Sequence, residues 1–128
     1  MKFLILSEKR VTFCLILLCL TTNLFAKELL TEVTVTDGDT VRGKYDNELI
    51  KIRLAEIDAP ELKQAFGVES KSCLKELIKQ SDGKVFFKFK EKDRYKRHVG
   101  WLYSENIDIN LEMVKRGCAW VYDRYAER

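Results

Sequence analysis

The sequence predicts a small α+β domain, mainly β, in which five short strands and two helices form a single unit. Three kinds of observation carry this prediction: short runs of alternating β-branched and polar residues, longer runs with helical spacing of apolar residues, and turn residues between the runs. The chain has 128 residues, a length that suits one domain. No internal repeat, low-complexity segment or linker divides it.

The first segment of the chain has the pattern of an export signal. Basic residues precede the mainly apolar run 11–25, and the small residue Ala26 follows. This order is typical of a secretory signal peptide, and the run is shorter than the roughly 20 residues of a membrane-spanning helix. An uncleaved anchor is the alternative. We expect residues 1–26 to be removed after Ala26, leaving residues 27–128 as one secreted or periplasmic domain with no lasting attachment to the membrane.

Five runs have the composition and alternation of short strands. They are Glu32–Thr36, Thr40–Tyr45, Leu49–Ile57, Lys84–Lys90 and Val99–Tyr103. Gly38 gives the turn after the first run its conformational freedom. Asp46 and Asn47 suit a two-residue hairpin turn between the second and third runs. Pro60 stops the third run, because proline brings no amide donor to a sheet.

Two helices are predicted, one between the third and fourth strands and one after the fifth. Gly67–Gln80 places apolar residues three and four positions apart, which indicates one buried stripe. Asp108 is the predicted N-cap of a second helix that runs to Arg116 and stops at Gly117. The aromatic segment Ala119–Tyr125 is expected to pack across the sheet. This order of elements fits a Greek-key barrel of the OB type, with an SH3-like barrel as the closest alternative.

Acidic residues concentrate around the predicted second and third strands. Asp37, Asp39, Asp58 and Glu61 lie in one short span, with Arg53 inside an otherwise apolar strand. Asp39 begins one strand and Asp58 ends the next, and antiparallel neighbours return to the same end of a sheet. Oxygen ligands without histidine or thiolate indicate a hard cation, Ca²⁺ or Mg²⁺. The alternative is that Asp37 and Asp39 serve only the turn.

Bulk charge does not identify a partner, because 23 Lys and Arg face 20 Asp and Glu. The basic residues instead concentrate in the segment 84–97, where Tyr95 offers a ring on which a nucleotide base can stack. Tyr122 and Tyr125 could extend that surface, and a solvated loop is the alternative. Arg53 lies on the route to the acidic residues, where its planar guanidinium can hold a phosphate by two hydrogen bonds.

Two cysteines remain after removal of the leader, Cys73 and Cys118. Export places them in an oxidising compartment, where a disulfide is favoured. With no histidine near either, they make a poor zinc site. Two buried free thiols are the alternative. We expect a Cys73–Cys118 disulfide with a structural role and none in catalysis.

Taken together, these motifs resemble the thermonuclease family, secreted nucleases similar to staphylococcal nuclease. The matching segments cover nearly all of the chain after the leader; they are VTDGDTV, IRLAEIDAPE, FGVESKSCLKEL, DRYKRHVGWLY and INLEMVKRGCAWVYDRYA. The resemblance implies a five-stranded OB barrel and Ca²⁺-dependent cleavage of DNA and RNA to 3′-phosphate ends. Members of the family continue into a further C-terminal helix, which we expect to be absent here because the sequence stops at Arg128. We also expect a monomer.

The resemblance assigns roles to individual acidic residues and their neighbours. Asp39 and Asp58 would be the metal carboxylates, and the main-chain carbonyl of Ala59 would be a further ligand. Asp37 would lie near the ion without binding it. Glu61 would hold or deprotonate the attacking water.

The resemblance also assigns the basic and aromatic residues. Arg53 and Arg97 would clamp the phosphate and stabilise charge in the five-coordinate transition state. Tyr95 and Tyr125 would contact the nucleotide, with Tyr122 as an alternative to Tyr125.

A catalytically silent OB module that binds nucleic acid or a protein is the alternative function. Such a module would be free to lose the acids or an arginine, and none is lost here, so the sequence favours a nuclease. A different nuclease scaffold built on the pattern Glu48–Lys51 is a weaker alternative, because matches this short arise by chance. The single histidine, His98, argues against sites that need two histidines.

Overall fold

The computed structural model describes residues 27–122, which contain eight strands and two helices. The predicted signal peptide and Tyr125 lie outside the described residues. In chain order the elements are β1 Glu28–Asp37, β2 Thr40–Tyr45, β3 Glu48–Leu54, β4 Ile57–Asp58, α1 Gly67–Gln80, β5 Val85–Lys92, β6 His98–Ser104, β7 Ile107–Asp108, α2 Ile109–Lys115 and β8 Trp120–Val121. Within the described part of the chain, no helix is long and apolar enough to span a membrane.

Five of the strands close into a barrel. β2 pairs with β1 and β3, β1 pairs with β5, and β5 pairs with β6, all antiparallel. β6 then returns to β3 as a parallel neighbour, with Arg53 opposite Val99. This last pairing closes the sheet. The mixed five-stranded barrel with two helices confirms the predicted OB-type architecture.

Alternate residues of the barrel strands form the core. Side chains on one face of each strand point inward and bury together, as the two-residue period of a strand requires. The buried apolar residues of the barrel strands include Leu30, Val41, Ile52, Leu54, Phe87 and Leu102. Helices α1 and α2 cover the barrel with buried Leu74, Leu77, Ile109 and Met113.

The predicted third strand is not continuous. β3 ends at Leu54, the chain turns through Glu56 with a φ of 63°, and β4 resumes at Ile57. Arg53 explains the break, because its Nη1 donates hydrogen bonds to the carbonyls of Leu54 (2.6 Å) and Ile57 (2.8 Å). The side chain thereby supplies partners for carbonyls that a strand ladder would otherwise bind.

Helix α1 spans the predicted residues, and α2 ends one residue before the predicted Arg116. Asp108 acts as the N-cap of α2, because its Oδ1 accepts a hydrogen bond of 3.0 Å from the Leu111 amide. Gly117 follows the helix with a φ of 68°, the left-handed conformation that commonly ends helices.

A disulfide joins helix α1 to the segment that precedes β8. It links Cys73 and Cys118, the expected pair, with Cα atoms 6.4 Å apart. Ser70, one turn earlier on α1, donates a 2.6 Å hydrogen bond to the carbonyl of Cys118. A covalent and a polar link therefore hold the C-terminal segment against the same helix.

The aromatic segment pairs with β4 and not with the barrel sheet. Ile57 lies opposite Val121, and Asp58 lies opposite Trp120. Ala119 is buried in the core, but Trp120 is 51% and Val121 46% exposed, so the expected packing across the sheet is wrong for these two residues. Their pairing instead forms a two-stranded ribbon beside the barrel.

Candidate active site

The Asp-Gly-Asp turn between β1 and β2 directs one carboxylate inward. The Asp39 amide donates to Oδ1 of Asp37 (3.2 Å), which shapes the turn. Gly38 is required by the close approach of α1, because a Cβ there would lie 1.8 Å from Ser70 Oγ and 2.8 Å from the Cβ of Ala59. As a result Asp39 is only 6% exposed.

The buried Asp39 carboxylate is bound on both oxygens. Oδ1 accepts from Thr40 Oγ1 (3.0 Å), and Oδ2 accepts from the Ala59 amide (2.9 Å). Burial raises the pKa of Asp39 to about 7; the charge of Arg53 lowers it and the charge of Asp37 raises it. The nearby positive charge of Arg53 therefore does not fully offset the cost of burying the ionised carboxylate, and an added cation would stabilise it.

Arg53 lies at the centre of the site. Its Nη2 is 3.0 Å from Asp58 Oδ1 and 3.2 Å from Asp39 Oδ2, while Nη1 binds the two carbonyls of the β3–β4 turn. The side chain is 18% exposed. Asp39, from the β1–β2 turn, and Asp58, from β4, thus converge on a single guanidinium nitrogen.

The donor chemistry at this point fits a hard cation. Asp39 and Asp58 supply carboxylate oxygens, which Ca²⁺ prefers, and the amide of Ala59 already binds Asp39. Among residues 27–122 no group of three or more His, Cys, Asp or Glu could hold a metal ion. Two carboxylates and the Ala59 carbonyl would therefore need water or substrate oxygens to complete a shell of about six to eight ligands.

Arg97 is held by Asp93. The Arg97 Nε donates to Asp93 Oδ2 (2.7 Å), and the amides of Arg97 and Tyr95 donate to Oδ1, each at 2.9 Å. Partial burial raises the pKa of Asp93, but these hydrogen bonds and the charge of Arg97 outweigh burial and hold it below its usual value. The sequence reasoning missed this role. The sequence did contain a sign of this role, because Asp93 begins a turn four residues before Arg97 and aspartate often binds main-chain amides in such turns.

A cleft of about 640 Å³ brings five of the predicted site residues to one opening. They are Arg53, Asp58, Tyr95, Arg97 and Tyr122. The cleft carries both arginines and one of the two aspartates that converge on Arg53. Its mouth is therefore lined by the groups that a phosphodiester requires, positive charge and hydrogen-bond donors.

The aromatic residues of the cleft are accessible. Tyr95 is 64% exposed, and the guanidinium carbons of Arg94 and Arg97 lie 4.9 Å and 5.4 Å from its ring centroid. Tyr122 is 39% exposed. Both rings can contact a nucleotide base from the rim of the cleft. Tyr125 is outside the described residues, so its predicted contact has no structural counterpart here.

Glu61 lies in the turn after β4, three residues beyond Asp58. Its amide donates to Gln64 Oε1 (2.7 Å), its carbonyl accepts from the Gln64 amide (2.8 Å), and its side chain is exposed. In the described part of the chain it adds no hydrogen bond or ion pair to the group around Arg53. Like Asp39, it does not line the cleft.

Asn110, another residue whose role was not predicted from the sequence, supports the β3–β4 turn from helix α2. It is fully buried, its Oδ1 accepts from the Leu102 amide (3.0 Å), and its Nδ2 donates to the carbonyls of Ala55 (3.0 Å) and Gly100 (3.2 Å). One side chain thereby ties the turn that separates Arg53 from Asp58 to strand β6. The sequence offered one sign of this role, since Asn110 is a polar side chain on the buried face of the predicted second helix.

The chain is similar in sequence to proteins named as nucleases. The chain is 48% identical over 95 residues to an "Uncharacterized endonuclease" of Haemophilus influenzae, covering 73% of this chain and 52% of that protein. It is 36% identical over 104 residues to a "Micrococcal nuclease" of Shigella flexneri, covering 74% of this chain and 59% of the relative. The chain thus spans between half and three fifths of the length of these curated relatives.

The family match covers every residue that lines the cleft. Residues 51–128 match the family model described as "Staphylococcal nuclease homologue", and this match includes Arg53, Asp58 and Arg97. Asp39 precedes the matched residues. Since the match extends over more than half of the sequence, the chain belongs to the staphylococcal nuclease homologue family.

Proposed function

We propose that this protein is a secreted, calcium-dependent nuclease that hydrolyses phosphodiester bonds of DNA and RNA and leaves 3′-phosphate ends. The observation that carries the proposal is the convergence of Asp39 and Asp58 on Arg53, on a cleft that also holds Arg97. The names of the relatives support nuclease chemistry. Calcium, the substrate range and the end group rest on the family resemblance.

Asp39, Asp58 and the carbonyl of Ala59 are the groups that would hold Ca²⁺. When bound, the ion supplies positive charge that offsets the repulsion between these acids and a phosphodiester and polarises a phosphate oxygen. The hydrogen bonds from Thr40 and Ala59 to Asp39 keep its carboxylate in one orientation. The buried site is therefore prepared for a cation before substrate arrives.

Arg53 and Arg97 bind the phosphate and stabilise the transition state. Negative charge grows on the equatorial oxygens as the fifth bond forms, and the planar guanidinium of Arg97 can donate two hydrogen bonds to them. Arg53 uses Nη1 on two carbonyls, so it would donate from Nε, and from Nη2 once a cation takes its place at Asp39 and Asp58. Asp93 fixes the orientation of Arg97, and the carbonyls of Leu54 and Ile57 fix Arg53. Two preoriented donors lose little entropy at the moment of reaction.

Glu61 is the proposed base that holds the attacking water and takes its proton. Its exposed carboxylate follows the metal aspartate Asp58 by three residues, and the bonds with Gln64 fix the turn that carries it. Tyr95, with Tyr122 at the same rim, contacts the base of the bound nucleotide. Nucleic acid is the only partner that the proposal requires, and the protein acts as a monomer.

Export completes the proposal. Residues 1–26 act as a cleaved signal peptide, and the domain that follows works in the periplasm or outside the cell. The disulfide between Cys73 and Cys118 supports this location, because disulfides persist in oxidising compartments.

Nuclease assays with defined metal content test the proposal. The mature chain is incubated with single-stranded DNA and with RNA in Ca²⁺, Mg²⁺ or a chelator, and the product ends are identified by mass spectrometry. We expect cleavage in Ca²⁺ alone, with 3′-phosphate ends. Asp39→Asn should nearly abolish cleavage, whereas the matched control Asp82→Asn, at an exposed turn, should not. Full activity in excess chelator would remove the metal mechanism.

The ion pairs of Arg53 favour a second candidate function. Because Arg53 Nη2 contacts both Asp39 and Asp58, the two carboxylates have a positive partner without a metal, as a catalytically silent binding module would require. Binding of single-stranded DNA with no cleavage in any metal, and no effect of Asp39→Asn on that binding, would establish this alternative.

A further inference from the structure

Strands β5 and β6 carry basic and aromatic side chains on the face that points away from the core. In their antiparallel register Lys88 lies opposite Trp101, and Phe86 lies opposite Tyr103. The intervening Phe87 points inward and is 1% exposed. The two-residue period of the strands therefore puts Lys88, Trp101 and Tyr103 on the outer surface of the barrel.

Cations lie against both aromatic rings of this surface. The Nζ of Lys88 is 5.3 Å from the Trp101 ring centroid, and that of Lys90 is 5.8 Å from it. The Nζ of Lys27 lies 3.9 Å from the Tyr103 ring centroid. These distances are within the range of cation–π attraction. We call these five residues the outer basic face. The three ammonium groups therefore lie beside the two rings, on β5 and directly before β1.

The outer basic face is continuous with the proposed active cleft. Lys90 belongs to both, because it contacts Trp101 and also lines the cleft with Arg53 and Arg97. A β-bulge between Phe89 and Glu91 turns the strand at this point. Bulges redirect side chains in this way. A polymer bound in the cleft can thus leave it over Lys90 and Lys88 without crossing the barrel.

We propose that the outer basic face binds the phosphate backbone of a single-stranded polynucleotide beyond the nucleotides held in the cleft. The proposal rests on the proposed nuclease function and names the form of its substrate. Lysines two residues apart on a strand are about 6.6 Å apart, a spacing comparable with that of successive phosphates in an extended single strand. A row of ammonium groups tracks such a backbone without reading its sequence.

Charge complementarity selects a nucleic acid as the occupant. Along the path out of the cleft, the basic residues are Arg94, Lys90, Lys88 and Lys27. The acids nearest to them in sequence are Glu28, Glu91 and Asp93, and Asp93 is already bound to Arg97. The contrasting interpretation is that the lysines only cover the aromatic rings with their aliphatic stems. The two interpretations differ in one measurable quantity, the number of counterions released when a long strand binds.

Salt-dependent binding of an oligonucleotide measures that number. The variant Lys27→Gln/Lys88→Gln removes two charges and keeps the stem of Lys88 over Trp101. Binding of a single strand of about 20 nucleotides is followed in chelator, which prevents cleavage. We expect the slope of log affinity against log salt concentration to fall in magnitude by about 1.4, since each phosphate contact on a single strand contributes about 0.7.

Matched controls separate this effect from a loss of fold or of net charge. Lys75→Gln/Lys79→Gln makes the same charge change on exposed positions of α1 and should leave the slope unchanged. Lys88→Arg should bind as the wild type does. Thermal unfolding shows that each variant is folded. An equal slope in the two double variants, or a wild-type slope in Lys27→Gln/Lys88→Gln, would overturn the proposal.

A dinucleotide, which occupies only the cleft, keeps this proposal separate from the proposed function. If the wild type and Lys27→Gln/Lys88→Gln hydrolyse it equally in Ca²⁺ while the slope for the long strand falls, both proposals stand. If the dinucleotide is hydrolysed and the slope is unchanged, only the outer basic face is refuted. If the slope falls and no substrate is hydrolysed in any metal, only the nuclease function is refuted.

Discussion

Arg53 combines a structural and a chemical role in one guanidinium. Nη1 satisfies the carbonyls of Leu54 and Ile57, and Nη2 contacts the two aspartates of the site. A lysine has a single nitrogen with three donors on a flexible stem, so it cannot reach both groups at once. Replacement of Arg53 should therefore affect stability as well as catalysis.

Arg53→Lys and Arg97→Lys should both lower kcat by roughly 10²–10³-fold, the cost of losing a comparable transition-state donor. Arg53→Lys should in addition lower the free energy of unfolding by about 1–3 kcal/mol, because buried acceptors lose their partner. Arg97→Lys should change stability less, because the main-chain amide at this position still binds Asp93. Steady-state kinetics and urea unfolding of both variants measure the two effects. Wild-type kcat in both would mean that the arginines supply only general positive charge.

The raised pKa of Asp39 predicts how stability depends on pH. Burial raises this pKa to about 7 from the usual 3.8, so the folded state retains a proton that the unfolded state releases. The stability contributed by protonated Asp39 is therefore fully present below about pH 4 and is lost as pH rises through about 7. Without Ca²⁺, the free energy of unfolding should fall over this range because of this group.

Asp39→Asn should remove that fall, because an amide does not ionise. Urea unfolding at pH 5 and pH 8 in chelator compares the wild type with Asp39→Asn and with the exposed control Asp82→Asn. From pH 5 to pH 8 the free energy of unfolding should fall less in Asp39→Asn than in the wild type or in Asp82→Asn. Equal drops in all three would contradict the assignment. Added Ca²⁺ should stabilise the wild type and not Asp39→Asn.

At the residue scale the sequence predicted the groups that meet, but not all that orient them. Arg53, Asp39 and Asp58 were predicted from their residue types and from their positions within or beside strands, and the structure brings them together. Asp93 has local partners, two and four residues along the chain, and was missed although the turn offered a signal. Asn110 was missed because its partners, an amide and two carbonyls, come from segments that only the fold brings near. A hydrogen bond between distant segments has no local pattern.

At the scale of elements, the β3–β4 turn is the part of the site most dependent on outside support. It positions Arg53 on one side and Asp58 on the other, and Asn110 on helix α2 binds the Ala55 carbonyl within it. Short turns without regular pairing keep one geometry only when neighbouring groups hold them. The helix thereby contributes to the cleft without lining it.

Asn110→Ala should lower the free energy of unfolding by about 3 kcal/mol, because the Leu102 amide and the Ala55 carbonyl lose buried partners. It should also lower kcat more than it changes KM, since Arg53 and Asp58 remain present but less well oriented. Denaturant unfolding and steady-state kinetics test both effects. Asn106→Ala, at an exposed position, is the control and should change neither. A large loss of stability with unchanged kcat would limit Asn110 to the fold.

The elements that the sequence predicted best are those defined by their own pattern. Helix α1 matched its predicted bounds because its apolar spacing and the flanking turn residues agree. The break in β3 was missed because an apolar run with a strand period gives no sign of it. The interruption arises from a side chain that binds main-chain carbonyls, which is a tertiary effect.

At the scale of the whole molecule, the disulfide is the strongest single constraint between helix α1 and the C-terminal segment. It closes a loop with a sequence separation of 45 residues. In the chain-entropy model such a bridge stabilises the fold by about 4 kcal/mol, an upper-end figure. That is a large fraction of the stability of a domain of this size.

Cys73→Ser/Cys118→Ser should therefore lower the free energy of unfolding by up to about 4 kcal/mol, while the folded fraction keeps its kcat, since neither cysteine lines the cleft. Urea unfolding of this variant and of the reduced wild type should give similar midpoints, both below that of the oxidised protein. Unreduced mass spectrometry verifies the bridge beforehand. A midpoint equal to that of the oxidised wild type would show that the bridge adds no stability.

The barrel class was predictable from the number and order of strands, but its closure was not. The parallel pairing of β3 with β6 joins segments more than 40 residues apart, with Ile52 opposite His98. No turn signal specifies such a contact, because it results from the twist and length of all five strands. The family resemblance supplied what local patterns lacked.

The pairing of β4 with β8 has a consequence for the order of events when the chain is made. Asp58 lies opposite Trp120, so one wall of the cleft gains its neighbouring strand only after nearly all of the described chain has been synthesised. Contacts between segments so far apart in sequence also form late, because closing a long loop costs entropy first. A growing chain is therefore expected to lack a finished cleft until β8, at Trp120–Val121, has left the ribosome and paired with β4.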